Sequence, residues 1–211
     1  MIIIGLTGGI ACGKSTVARL IQTELKIPVL DADKISREIV QPGEKGLAEV
    51  IARFGDQILQ SDGTLNRKKL GTLIMNDEVA RQDLMKITHP KIAARIMQKL
   101  LQLKQKGHFA AVVEAALMIE NKTHKKYHGV LVVSCAAQTQ LQRLMSREGF
   151  TKPQAEKWIS SQFPLSEKEK AADWVIHNDS DLKSLASSLT DGWDAFIKKC
   201  AIDTNKQSKN N

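Results

Sequence analysis

The chain has 211 residues, a formal net charge of +8 and 42% hydrophobic residues, with aromatics at only 4%. That suits one sizeable α/β domain, with or without insertions, around an aliphatic core. No apolar run reaches membrane-spanning length, since Ala110 to Ile119 is too short and carries Glu114. The cysteines, Cys12, Cys135 and Cys200, are odd in number and match no metal spacing, which argues against a disulfide framework or a zinc site.

The positive charge fits an acidic partner, either a polyphosphate or a nucleic acid, and equally a basic solvated surface. Met1 is followed directly by strand residues, so no signal peptide is expected, and an odd cysteine count without a disulfide or metal pattern fits a reducing, cytoplasmic location.

Ile2-Ile3-Ile4-Gly5-Leu6 is a nearly continuous apolar run, as a buried parallel strand requires. Gly8-Gly9-Ile10-Ala11-Cys12-Gly13-Lys14-Ser15-Thr16 follows and matches G-x-x-x-x-G-K-[ST] at Gly8, Gly13, Lys14 and Ser15. Glycines let the backbone bend tightly and approach a bulky anion, and the loop's N–H groups then face phosphate oxygens. A helix starting near Lys14 adds its positive end. Lys14 brings a charge to the β/γ-phosphates, and the Ser15 hydroxyl is a ligand for Mg²⁺. Val17, Leu20, Ile21 and Leu25 recur at helical spacing, with Pro28 just beyond. Cys12 is expected mainly as a small side chain in a tight loop, although nearby positive charge would favour its thiolate.

Ile27 to Leu30 reads as a second strand ending at Asp31-Ala32-Asp33. In open α/β sheets ligands bind beyond the carboxyl ends of strands, which places both carboxylates on the ligand edge. They share one face if the backbone stays extended; alternatively Asp33 caps a helix starting near Lys34. Residues 34–107 are helical in pattern, broken at Val40-Gln41-Pro42-Gly43 and Ser61-Asp62-Gly63-Thr64. Leu47, Val50, Ile51 and Phe54 form one stripe, and Leu70, Leu73 and Ile74 mark another helix. Pro90 is expected in the first turn of a third, carrying Ile92, Ile96, Leu100 and Leu103. Arg67 and His89 are the notable polar candidates in this span.

Phe109 to Val113 is the third strand, with Glu114 at its end and Glu120 a little beyond. A carboxylate there can hold Mg²⁺ or its water. Val130 to Val133 is the fourth strand. Arg143 and Arg147 follow four apart on one helical face, and another helix is expected from Thr151 to Ser161. Such arginines suit a lid over nucleotide phosphates, or else a solvated charged face. Trp174 to Ile176 is the fifth strand. Leu182, Leu185, Leu189, Trp193 and Phe196 mark a closing helical region interrupted at Gly192, and from about Thr204 the tail is polar and expected to be disordered.

Taken in order, these landmarks resemble the dephospho-coenzyme A kinase family to about Leu189. The distinctive pieces are Leu6-Thr7-Gly8-Gly9-Ile10, Asp31-Ala32-Asp33, Asp62-Gly63-Thr64-Leu65-Asn66-Arg67, His89-Pro90, Gln140-Leu141-Gln142-Arg143, Gln162-Phe163-Pro164-Leu165 and Ala172 to Asn178. The resemblance implies an α/β fold with a P-loop NTPase three-layer core, a five-stranded parallel sheet, a helical substrate-binding insertion and a helical lid. It implies one kinase domain over 1–203, with core at about 1–33, 108–142 and 172–200, insertion at about 34–107 and lid at about 143–171, and a tail at 204–211.

The implied reaction is ATP-dependent phosphorylation of the ribose 3′-hydroxyl of dephospho-coenzyme A, with Mg²⁺, and with neither nucleic acid nor membrane as partner. Asp33 resembles the catalytic base and Lys14 its phosphate-side counterpart. Ala11, Cys12, Gly13, Lys14, Ser15 and Thr16 resemble the ATP phosphate-binding segment. Arg143 and Arg147 look like lid-side nucleotide contacts, and Asn178 falls in the adenine-side loop. Asp31, Arg67 and His89 are expected on the acceptor side, and Ser15 on the metal.

Three departures stand out. Ala116-Leu117-Met118 replaces Pro-Leu-Leu and should loosen that turn. Asn66 replaces a usual Asp, and Trp158 stands where an Arg is common. Other readings are a P-loop kinase of nucleosides or nucleotides, a GTP-dependent switch and a nucleic-acid-binding module. The switch is disfavoured because no D-x-x-G occurs and Asn121-Lys122-Thr123-His124 lacks the Asp of a guanine-reading motif.

Overall fold

Five strands form the sheet: β1 (Ile2–Gly8), β2 (Val29–Asp31), β3 (Ala110–Glu114), β4 (Gly129–Ser134) and β5 (Trp174–His177). The structure is a computed structural model that describes residues 1–75 and 77–207, with side chains as far as residue 202. The spatial order is β2-β3-β1-β4-β5, which puts β1 at the centre of a parallel sheet. Ile4 pairs with Val112 of β3, and Leu6 pairs with Leu131 of β4. Every residue of β3 and β4 is buried, as unbroken apolar runs require when helices cover both faces.

The helices are α1 (Lys14–Thr23), α2 (Ala32–Glu38), α3 (Lys45–Phe54), α4 (Arg67–Met75), α5 (Glu78–Gln105), α6 (Ala137–Glu148), α7 (Lys152–Ser160), α8 (Leu165–Lys170) and α9 (Leu182–Gln207). The chain divides into two compact units, Met1–Leu30 with Leu103–Asn211, and Asp31–Gln102.

In the first unit, Val17, Leu20 and Ile21 of α1 join Leu185, Leu189, Trp193 and Phe196 of α9 against Ile4, Leu6, Leu131 and Val133. Val130 and Val132 point the opposite way and pack with Ile119, Ala171 and Ala172. Apolar groups thus cover both faces of the sheet, giving three layers.

Helix α9 runs through Gly192, where an interruption was expected. A Cβ at Gly192 would lie 2.5 Å from the Trp174 ring, so the glycine is there for close packing of helix on strand. The same helix continues to Gln207, past the expected start of a polar tail at Thr204; the rest of that expectation, 208–211, lies outside the described residues. Helix α8 was not anticipated.

In the second unit, Leu47, Val50 and Phe54 of α3 bury the predicted stripe. Pro90 was expected in a first helical turn, yet it sits inside the 28-residue α5. A helix that runs through proline gives up one hydrogen bond. Tertiary contacts flank Pro90 on both sides: Asp83 meets Arg53 before it, and Lys91 meets Glu49 and Arg95 meets Glu44 after it.

Candidate active site

β1 delivers the chain to Gly8, and α1 starts at Lys14. Between them Ala11 (φ 60°) and Gly13 (φ 91°) take left-handed backbone conformations. A Cβ on Gly13 would lie 2.1 Å from Asn178 Nδ2, so space as well as φ demands glycine there. The N–H groups of Thr16 and Val17 donate to the Gly13 carbonyl at 3.0 and 3.1 Å, closing the first turn of α1. That turn carries no acidic residue and no side-chain cap, so its positive end is not neutralised from within the helix.

The Lys14 ammonium pairs with Glu114 Oε1 at the carboxyl end of β3. The pairing of β1 with β3 sets Leu6 beside Glu114, which brings the strand end to the loop. Glu114 is only 7% exposed, and a carboxylate so buried needs a cationic partner. The turn after it is not loose, despite Ala116-Leu117-Met118. Met118 is buried, and the Ala116 carbonyl accepts from Thr7 Oγ1 at 3.2 Å and Lys168 Nζ at 3.1 Å.

Cys12 is wholly buried with its sulfur 3.2 Å from that of Cys135. The hydrogen bond shared with Cys135, together with burial, pushes the Cys12 thiol up, which overturns the thought that loop charge would favour its thiolate. Ser15 stands exposed in the first turn of α1, and Thr16 beside it is half-buried. Asn178 does not face outward: its side-chain amide donates to the Cys12 carbonyl at 2.8 Å. Arg143, on α6, donates to the Asn178 carbonyl at 2.7 Å. Arg147, one turn further, is exposed and pairs with its neighbour Glu148. Trp158 is exposed on α7 and lies parallel to the Phe150 ring, with centroids 6.1 Å apart.

In the helical unit the Asp31-Ala32-Asp33 expectation needs correction. Helix α2 starts at Ala32, and Asp31, not Asp33, is its cap, accepting from the Lys34 N–H at 3.0 Å. The backbone is therefore no longer extended at Asp33, and the two carboxylates do not share a strand face. Asp33 projects from the first helical turn and is exposed. With the cap supplied by Asp31, the only capping role offered for Asp33 is gone.

Arg67 opens α4 and lines a cavity of about 300 Å³ with Val40, Gln41, Gln60 and Asn66. Burial, and next the Arg37 charge, pull its pKa below the ordinary arginine value. His89 is exposed on α5 beside Pro90.

Sequence reasoning missed Lys168 and the use made of Glu120. Lys168 is fully buried, yet it lies in Glu167-Lys168-Glu169-Lys170, a run that reads as a solvated helix face. Its ammonium meets Glu120 Oε1 at 2.7 Å. Glu120 Oε1 also accepts the Phe163 N–H at 3.1 Å, while Oε2 is buried without a hydrogen-bond partner among the described residues. Gln140 and Gln162, quoted only as landmarks, both bond the backbone of Ile10. Among the described residues no cluster of three His, Cys, Asp or Glu side chains is placed to hold a metal ion.

A family model described as dephospho-CoA kinase (CoaE) matches residues 2–184. A dephospho-CoA kinase of Bdellovibrio bacteriovorus is 41% identical over 182 residues, covering 86% of this chain and 90% of the relative. One of Bacillus anthracis is 42% identical over 202 residues, covering 95% and 98%. Among solved structures, that of a Thermus thermophilus protein superposes with a TM-score of 0.76 at 30% identity, covering 90% of this chain and 94% of the other. Dephospho-CoA kinase from Campylobacter jejuni gives a TM-score of 0.58 at 26% identity, covering 97% and 96%. With a family match that runs from β1 into α9, the chain belongs to the dephospho-CoA kinase family.

Proposed function

We infer that this protein transfers the γ-phosphoryl group of ATP to the ribose 3′-hydroxyl of dephospho-CoA, giving CoA and ADP, the last step of CoA biosynthesis. The observation that carries the reading is the family match over 2–184, which takes in the phosphate loop, the helical unit and α6 to α8. In such transfers positioning and charge neutralisation supply most of the catalysis. Residues Ala11 to Thr16 bind the ATP phosphates through backbone N–H groups and the start of α1. Lys14 leaves Glu114 to neutralise the β/γ-phosphates. Asp33, an exposed carboxylate in the first turn of α2, accepts the ribose hydroxyl proton.

Arg143 and Arg147 act from a lid at about 143–171 on the nucleotide phosphates, and Asn178 supports the loop on the nucleotide side. Arg67, which lines its cavity and feels the Arg37 charge, suits the diphosphate of the acceptor, since guanidiniums favour an anion. Asp31 and His89 stand on the acceptor side. Mg²⁺ fits the residues present: Ser15 offers an exposed hydroxyl beside Lys14, and such sites need few protein oxygens because substrate phosphates and water complete the shell. When bound there, the ion offsets charge on the transferring group. A cytoplasmic setting is supported by the unbridged thiols of Cys12 and Cys135, 3.2 Å apart.

The test is ATP turnover across dephospho-CoA, nucleosides and nucleoside monophosphates, with the product position assigned by NMR. Phosphate on the 3′-oxygen of dephospho-CoA is expected. Faster turnover of a nucleoside or nucleotide would move the protein to that class of kinase. Lid-side action predicts that Arg147→Ala raises the KM for ATP more than that for dephospho-CoA; an unchanged ATP dependence would reduce Arg147 to a surface charge.

A further inference from the structure

The phosphate loop is gripped from outside by its carbonyl oxygens. Gln140 Nε2, from α6, donates to the Ile10 carbonyl at 2.9 Å. Asn178 Nδ2, just past β5, donates to the Cys12 carbonyl at 2.8 Å. Lys168 Nζ, from α8, reaches the Gly8 carbonyl at 3.5 Å, next to its bonds to Ala116 and Glu120. The three side chains are buried, at 5%, 7% and 0% exposure. Each reaches the loop across more than 120 positions of sequence.

In a planar trans peptide the C=O and the following N–H point in opposite directions. Holding the Ile10 and Cys12 carbonyls outward therefore turns the N–H groups of Ala11 and Gly13 the other way. Neither of those N–H groups has a hydrogen-bond partner among the described residues. The intervening N–H groups are already used: that of Ile10 donates to Gln162 Oε1 at 3.0 Å, and that of Cys12 to the Gly9 carbonyl at 3.2 Å. The loop thus alternates N–H groups committed to the protein with N–H groups left for an anion.

We propose that Gln140, Asn178 and Lys168 are positioning residues that preset the phosphate loop before nucleotide binds. They act through the peptide groups they hold, and none of them touches the nucleotide. The inference rests on the reading of residues 8–16 as the phosphate site. It explains why amide, amide and ammonium are buried here: only donors can hold three carbonyls. It also explains why Lys168 carries Glu120 as a counter-charge, since an unpaired ammonium at that depth would be unstable.

The test compares Gln140→Met, Lys168→Met and the pair Lys168→Met with Glu120→Gln, reading ATP dissociation constant, dephospho-CoA KM and melting temperature without ligand. Lys168→Met alone strands a buried carboxylate and is expected to melt early; the paired substitution removes both charges and is expected to recover the melt. ATP affinity is expected to fall about tenfold or more in Gln140→Met and in the paired variant, the size of one lost hydrogen bond to a charged or preset group. The KM for dephospho-CoA is expected within about twofold of the parent in Gln140→Met, since that side chain's contact lies on the phosphate loop. Gln140→Met buries no charge and remains decisive if Lys168→Met does not fold. Parental ATP affinity in Gln140→Met and the paired variant, whatever their melting temperatures, would overturn the proposal and leave these residues a packing role. Lys14→Ala, run alongside, separates the two levels: if it keeps full ATP affinity and turnover, the phosphate-loop reading itself fails, whereas a dead Lys14→Ala beside unaffected clamp variants removes the clamp alone.

Discussion

In the phosphate-loop unit the charges that matter are out of water: Lys168 is wholly buried, and Lys14 meets Glu114 at side-chain exposures of 17% and 9%. In the helical unit the charges stay wet. Arg53 with Asp83, Lys91 with Glu49, Arg95 with Glu44 and Lys99 with Glu38 join helices through side chains a quarter to a half exposed. A buried polar group must be satisfied in one arrangement, because leaving it unpaired costs several times what a surface pair contributes. A solvated pair tolerates rearrangement, and its net contribution is small. The first unit is thus built to hold one loop conformation. The second leaves polar groups, Arg67 and Asp33 among them, exposed to solvent.

The sharpest way to break this contrast is at the two aspartates. Asp33→Asn is expected to lower kcat by roughly 10²–10⁴-fold, the usual weight of general acid–base catalysis, with little change in melting temperature. Asp31→Ala should do the reverse, costing about 1 kcal/mol of stability as the cap of α2 is lost. Unaltered kcat in Asp33→Asn at saturating Mg²⁺-ATP would shift the base to Asp31.

Lys14→Ala comes next. It removes the charge proposed for the β/γ-phosphates and leaves the buried Glu114 without its partner, so the melting temperature should fall as well. Transfer should fall about 10²–10³-fold in a protein that still folds by circular dichroism. Full activity in the folded variant would remove the loop from the chemistry.

Burial in the first unit also predicts a pH effect. Tyr127 lies against β1, where a Cβ on Gly5 would be 2.7 Å from its ring. Burial holds its hydroxyl up at about 12, against an ordinary 10.0. The unfolded chain then loses this proton at lower pH than the folded chain does. The resulting stability is complete below pH 10.0 and declines as pH climbs toward about 12. Tyr127→Phe should flatten the decline by roughly 2 kcal/mol, read from urea unfolding across that range. Parallel curves for parent and variant would show that the hydroxyl is solvated.

The smallest effect belongs to the helical unit. Arg95→Met gives up contacts to Glu44 and Glu38. It should cost less than about 1 kcal/mol, and added salt should shrink the difference further. A larger, salt-insensitive loss would place this pair among the buried kind and erase the contrast between the units.

Local sequence was enough for everything governed by local rules. The apolar run Ile2 to Leu6, the glycines at 8 and 13 and the periodicity of Val17, Leu20 and Ile21 dictate strand, loop and helix, because chain sterics and hydrophobic spacing act over a few residues. The landmarks beyond the loop made the family readable. Tertiary packing decided the rest. Gly192 looks like a helix breaker until the Trp174 ring is seen against it. Pro90 looks like a helix start until α5 is seen to run on through it, with contacts to α3 on both sides. The cap fell to Asp31 rather than Asp33 because α2 begins at Ala32, two residues before the start near Lys34 that the spacing suggested. Lys168 was invisible for the deepest reason. Its neighbours Glu167, Glu169 and Lys170 argue for solvent, and only the fold brings Gly8, Ala116 and Glu120 around its ammonium. Burial belongs to the packed chain, and no window of sequence contains it.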